Sequence, residues 1–140
     1  MTDKISRDLR SQVMAKVRSV DTKPELLVRS LLHKMGFRFR LHRRDLPGRP
    51  DMCLPKHRVA IFVHGCFWHG HTCHHGSRRP ATNQEYWNKK LDGNIRRDAA
   101  ALKELRELGW KPLVIWECQT HESNFSDELL GRIRQSISEP

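Results

Sequence analysis

Apolar positions recur along the chain in blocks whose spacing shifts from helical to strand-like and back. Over residues 6–18, Leu9, Val13, Met14 and Val17 fall at helical spacing with Arg7, Arg10, Lys16 and Arg18 around them, which predicts a short basic amphipathic helix. Thr22-Lys23-Pro24-Glu25 reads as a capping box with proline in the first turn. The helix it opens carries Leu26, Leu27, Leu31 and Leu32 and stops at Gly36. Phe37, Phe39 and Leu41 then alternate with Arg38, Arg40 and His42, the pattern of a strand with one wet, basic face. Leu46-Pro47-Gly48-Arg49-Pro50 is a turn.

Two short apolar stretches, 51–54 and 58–63, flank Pro55-Lys56-His57 and predict a hairpin whose second arm is buried on both faces. Residues 83–108 are helical, with a break or kink near Asp92-Gly93-Asn94, and end at Gly109. Leu113-Val114-Ile115-Trp116 predicts another buried strand, and Ser126 caps a last helix through Leu129, Leu130, Ile133 and Ile137. The order helix, helix, strand, strand, strand, helix, strand, helix is that of a mixed α/β chain, and 140 residues (1–140) suit a single domain.

Charge narrows the function. Lys and Arg number 26 against 16 Asp and Glu, a net charge of +10, which favours phosphate backbones as the partner. No apolar run approaches the roughly 18 residues that span a bilayer, so a membrane role is not expected. The N-terminus lacks the apolar centre of a signal peptide, which places the chain in the cytosol with its cysteines reduced unless a metal holds them.

The richest chemistry lies in 64–75, His-Gly-Cys-Phe-Trp-His-Gly-His-Thr-Cys-His-His, where seven of twelve side chains are thiols or imidazoles, ligands that suit zinc. Cys66, His71 and Cys73 can present three ligands from one loop. Cys118, the only other cysteine outside an apolar strand, is the candidate fourth, since Cys53 reads as a small core residue within Met52-Cys53-Leu54. His64, His69, His74 and His75 are also at hand; His71 is preferred for its spacing. Asp51 sits at the mouth of a strand after the Leu-Pro-Gly-Arg-Pro turn, where a carboxylate can hold a hard cation such as Mg²⁺ or simply close the turn with Arg49. The following strand delivers His64 and then His69 to the same end of the sheet, and a neutral imidazole beside a cation suits general-base work near neutral pH. Phe67, Trp68 and Trp87 form a third set. The first two are consecutive in the loop and cannot easily share one interior, which fits an apolar wedge between base steps; such a wedge costs less to insert at a mismatch.

The chain resembles the very-short-patch (Vsr-type) mismatch repair endonucleases. The resemblance runs through Ser11-Gln12-Val13-Met14, Asp21-Thr22-Lys23-Pro24-Glu25, Leu46-Pro47-Gly48-Arg49-Pro50-Asp51, Phe62-Val63-His64-Gly65-Cys66-Phe67-Trp68-His69 and Pro80-Ala81-Thr82. It continues in Tyr86-Trp87, Asn94, Arg97-Asp98, Leu108-Gly109-Trp110 and Val114-Ile115-Trp116-Glu117-Cys118. It implies a restriction-endonuclease-like core, a central mixed β-sheet flanked by helices, with Mg²⁺-dependent nicking of one strand beside the T of a T:G mismatch left by deamination of 5-methylcytosine. On that basis Asp51 and the main-chain carbonyl of Val63 would hold Mg²⁺, and His69 would be the general base, supported by His64 and Glu25. Cys66, His71, Cys73 and Cys118 would hold structural Zn²⁺. Phe67, Trp68 and Trp87 would be the wedge, and the N-terminal helix (1–20), around Met14, would contact the DNA from the other groove. The resemblance also implies a monomeric, nucleoid-associated bacterial protein, linked functionally to a DNA cytosine-5 methyltransferase and to mismatch repair proteins.

Two departures stand out. Position 63 is Val where Thr is familiar, and the second acid and the lysine usual in restriction-type nucleases are not evident. Two other readings remain: a noncatalytic zinc-bearing DNA-binding module, and a related nuclease acting on unmismatched sites. Asp51 argues against a pure binder, because a carboxylate aimed at phosphate repels it.

Overall fold

The computed structural model describes residues 22–138; the basic N-terminal helix expected over 6–18, with Met14, lies outside them. The elements are α1 (Lys23–Lys34), β1 (Arg40–Leu41), β2 (Met52–Leu54), β3 (Val59–His64), a single turn α2 (His74–Ser77), α3 (Gln84–Glu107), β4 (Lys111–Trp116), a 3-10 turn (Glu117–His121) and α4 (Phe125–Ser138). The strands form one mixed sheet in the order β1-β2-β3-β4, antiparallel through the first three and parallel between β3 and β4.

Alternation along β3 splits the core in two. Val59 and Ile61 face α1 and α4, joining Val28, Leu32, Met52, Leu54, Leu113, Ile115, Phe125, Leu129 and Ile133. Ala60 and Phe62 face α3, joining Leu46 and Leu105. Both faces of β3 are therefore covered, as its unbroken apolar run demands. The fold is α/β, helices on both sides of a four-stranded sheet. No helix among the described residues is long and apolar enough to cross a membrane.

Three expectations are corrected. The strand expected over 37–41 pairs only at Arg40 and Leu41, opposite Cys53 and Met52. By this register Phe39 would face Leu54, the last residue of β2, and Phe37 would face the turn beyond it; neither pairs, and both pack partly buried against the core. β4 is fully buried only at Leu113 and Ile115; Val114 and Trp116, on its other face, are partly buried against the second core cluster and the histidine loop, and its place at the sheet edge admits Pro112, which lacks an N–H. The break expected near Asp92-Gly93-Asn94 does not occur: α3 runs unbroken for 24 residues. Gly93 costs such a helix about 1 kcal/mol relative to Ala, which the helix's packing overcomes. The site is there a buried one, with the Arg97 guanidinium 3.3 Å from where a Cβ would lie.

Candidate active site and metal centre

α1 begins as its sequence dictates. The Thr22 hydroxyl accepts from the Glu25 N–H and the Glu25 carboxylate accepts from the Thr22 N–H, both at 3.4 Å. The reciprocal cap fixes a carboxylate that is only 2% exposed. Glu25 also meets Arg29 at 3.2 Å and His42 Nε2 at 3.3 Å. Capping and a place in the site thus coexist in one side chain.

Asp51 stands where β2 begins, and its Oδ2 accepts from the Val63 N–H at 2.6 Å. The N–H and C=O of one strand residue project from the same edge, so the Val63 carbonyl faces the same side as Asp51. Burial pushes the Asp51 carboxyl up to about 6, with the Glu25 carboxylate adding to the rise, while the Val63 N–H, His42 and His69 oppose it. Oxygen and nitrogen donors of Glu25, His42 and Asp51 lie within 4.8 Å of one another, close enough to hold one ion. Two carboxylates offer the hard oxygens a Mg²⁺-sized cation takes, and a buried carboxyl that resists ionising alone gains from such a charge. The residues fit the ion.

His64 and His69 come to the same cleft, stacked in parallel with ring centroids 3.8 Å apart. Burial holds His64 down to about 4, with His69 adding and Asp98 opposing, so it is a neutral ring near pH 7. His64 Nδ1 is buried with no hydrogen-bond partner. His69 Nδ1 lies 2.5 Å from Asp98 Oδ2. Asp98 comes from α3 and stands with His64 and His69, while the carboxylate that shares the Asp51 group is Glu25. Gly48, Asp51, Val63, His64, His69 and Asp98 line one cleft of about 1240 Å³, together with the cationic Arg49 and Arg97. Gly48 has φ +74, and a Cβ there would meet Ala101 Cβ at 2.6 Å, so the loop before Asp51 can lie against α3 only as glycine.

Beside the cleft the donor atoms of Cys66, His71, Cys73 and Cys118 lie within 4.8 Å of one another. Cys118 Sγ is 3.5 Å from His71 Nδ1, and the Cys118 N–H donates to Cys66 Sγ at 3.4 Å. His71 stacks on Trp116 at 4.2 Å, which orients the ring. Cys73 caps α2, its sulfur accepting from Gly76 N. Position 76 must be glycine, since a Cβ would come 2.2 Å from the His71 carbonyl. Burial pushes the Cys66 thiol up to about 12 and raises Cys118 as well, so a bound cation is what would make them thiolates. All four cysteines are unpaired by disulfide, and Cys53 is a core residue, 1% exposed, away from this cluster. Three sulfurs and one imidazole are the donor set of a closed tetrahedral site.

Phe67, Trp68 and Trp87 meet in one aromatic group, with centroids 5.0 Å, 5.7 Å and 5.9 Å apart, and Tyr86 extends it at 5.3 Å from Trp87. Tyr86 is 59% exposed. α3 ties the loop down: Asn94 Nδ2 donates to the Trp68 carbonyl at 3.0 Å, and Asp98, one turn on, holds His69. His74 is exposed on α2 and has no place in the metal cluster.

The sequence profile of the family described as DNA mismatch endonuclease Vsr matches residues 2–75. The chain belongs to that family. It is 49% identical over 119 residues to the type II nicking enzyme V.XorIIP of Xanthomonas oryzae, covering 85% of this chain and 87% of that one. It is 40% identical over 139 residues to the type II nicking enzyme V.NmeAIP of Neisseria meningitidis, covering 99% of each. It is also 40% identical over 131 residues to the DNA mismatch endonuclease Vsr of Escherichia coli, covering 93% of this chain and 83% of that protein. Membership in the Vsr family makes the chain an endonuclease with the restriction-endonuclease-like fold and DNA as its substrate. Asp98, His42, Arg29 and Tyr86 are the site residues that spacing alone had left without a role.

Proposed function

We propose that this Vsr-family endonuclease nicks one strand of duplex DNA beside the T of a T:G mismatch, using Mg²⁺ for the cut and Zn²⁺ to hold the loop that carries the site. One observation carries the catalytic reading: a histidine paired to a carboxylate at 2.5 Å opens on the same cleft as the buried Asp51. Asp51, Glu25 and the Val63 carbonyl would hold the cation, and Val at position 63 still offers that backbone oxygen. A bound divalent cation supplies Lewis-acid polarisation of the phosphate and neutralises charge that develops on it.

The protein's residues do the rest. The Asp98 carboxylate accepts from His69 Nδ1–H, fixing the tautomer that leaves a lone pair on Nε2. His69 can then take the proton of an attacking water. His64, neutral and stacked face to face, holds the His69 plane without adding a competing charge. Arg49 and Arg97 at the cleft wall attract the backbone phosphates. Phe67, Trp68 and Trp87 enter the stack at the weakened base pair, and the cluster of Cys66, His71, Cys73 and Cys118 keeps them fixed relative to His69. The basic N-terminal segment around Met14 would hold the opposite groove. A single chain suffices for one nick, so the enzyme acts as a monomer, in functional partnership with the cytosine methyltransferase whose product deaminates to T.

The test is cleavage of matched duplexes that differ only at T:G or T:A, with Mg²⁺ present. Strand-specific nicking of the T:G duplex supports the reading. Equal cutting of both duplexes favours a nuclease for unmismatched sites, and no cutting in any flanking sequence sinks the proposal.

A further inference from the structure

We propose that His42 is a ligand of the cation assigned to Asp51, and that the Arg29 guanidinium keeps its place while the cation is absent. This rests on the cation site proposed above and extends it to two residues outside the sequence motifs.

His42 follows β1 with φ 47, a left-handed conformation that only glycine adopts freely. Its N–H donates to the Asp51 carbonyl at 3.1 Å, extending the β1–β2 ladder beyond Leu41 and Met52 by one step. Backbone pairing thus ties the imidazole directly to the residue whose carboxylate binds the cation. The capping box places Glu25 on the other side, with Oε1 3.3 Å from His42 Nε2. Neighbouring ligands of an octahedral ion held at ~2.1 Å lie ~3 Å apart, so this pair already has the spacing of one ligand edge. The Asp51 carboxylate completes a group spanning no more than 4.8 Å.

Arg29 shows which way the lone pairs point. Its Nη2 lies 3.2 Å from Glu25 Oε1 and 3.1 Å from His42 Nε2. A guanidinium can only donate, so while this contact stands His42 Nε2 accepts and its ring proton is on Nδ1. A carboxylate oxygen and an imidazole nitrogen therefore converge on one positive charge, which is what a metal ion asks of the same two atoms. Arg29 reaches in from one turn along α1, and its side chain is 16% exposed, so it has a route out. Imidazole is a borderline donor that Mn²⁺ accepts more readily than Mg²⁺, which prefers oxygen throughout. A nitrogen ligand here makes Mn²⁺ the better-bound ion.

The experiment is a Mn²⁺ titration of the full-length, zinc-loaded protein, with free Mn²⁺ read by electron paramagnetic resonance and ligand nitrogen by pulsed methods on ¹⁵N-histidine-labelled protein. Wild type should show a directly bound histidine nitrogen. His42→Gln should lose that coupling and weaken Mn²⁺ about tenfold. Arg29→Met should bind Mn²⁺ several times more tightly, since nothing has to be displaced. A nitrogen coupling that survives His42→Gln, or Mn²⁺ bound no more tightly by Arg29→Met, overturns the proposal while leaving the Asp51 site standing. Mn²⁺ binding that is indifferent to Asp51→Ala removes the cation site itself and this inference with it.

Discussion

Nδ1 of His69 and Oδ2 of Asp98 lie 2.5 Å apart, joining the cysteine- and histidine-rich loop to the middle of α3. In the proposed mechanism the carboxylate fixes the tautomer and stabilises the ring once it is protonated, a contribution to the transition state more than to binding. Asp98→Asn should lower kcat by about 10²-fold or more while leaving duplex affinity nearly unchanged. Single-turnover nicking set against equilibrium binding of a T:G duplex checks this. An equal loss in both measurements would assign Asp98 to folding.

Asp51 gives a pH signature. Its carboxyl is raised from 3.8 to about 6 by burial, so the folded protein holds the proton more tightly than the unfolded chain does. The stability this confers is complete below about pH 4 and is lost as the pH rises through 6. Asp51→Asn carries no such loss. Without added divalent cation it should melt above wild type at pH 7.5, by up to about 3 kcal/mol, and the gap should close toward pH 4. Mg²⁺ should raise the melting temperature of wild type and not of the variant.

The cysteines separate cleanly. If the cluster holds zinc as proposed, the wild type should carry one zinc per chain and Cys118→Ser, which removes one of four donors, should lose it, with a stability loss of about 3 kcal/mol or more and loss of nicking. Cys53→Ala, a change in the core, should keep the zinc in full. Atomic emission on the purified variants, paired with thermal melts, reads both.

In the proposed reading the aromatic group carries the discrimination. Trp68→Ala should weaken binding to a T:G duplex by about 1–3 kcal/mol and to its paired T:A counterpart by much less. Fluorescence of 2-aminopurine placed next to the mismatch should lose its rise on binding. An equal loss on both duplexes would make Trp68 a packing residue.

Local spacing made part of this site readable. Cys66, His71 and Cys73 lie on one short loop and converge because the chain between them is too short to do otherwise, and Cys118 followed once Cys53 was given to the core. Asp98 and His42 were not readable in that way. Asp98 reaches His69 only through the helical phase of α3, and the glycine that suggested a break at 93 sits inside the unbroken helix that sets this phase. His42 looked like the wet face of a strand, yet a left-handed backbone turns it toward Glu25. The β1 overreach has the same root: alternation records which side chains are wet, while ladder length depends on a partner strand elsewhere in the chain.

Trp68 and His69 are consecutive residues in a loop fastened on one side by the cysteine cluster and on the other by Asn94 and Asp98. Their Cα atoms are therefore about 3.8 Å apart by covalent geometry alone. If Trp68 senses the lesion and His69 drives the cut, the offset between damage and incision is a fixed length of polypeptide, a built-in ruler. On those terms the enzyme would not need to measure where to cut, because finding the lesion would already put the scissors in place.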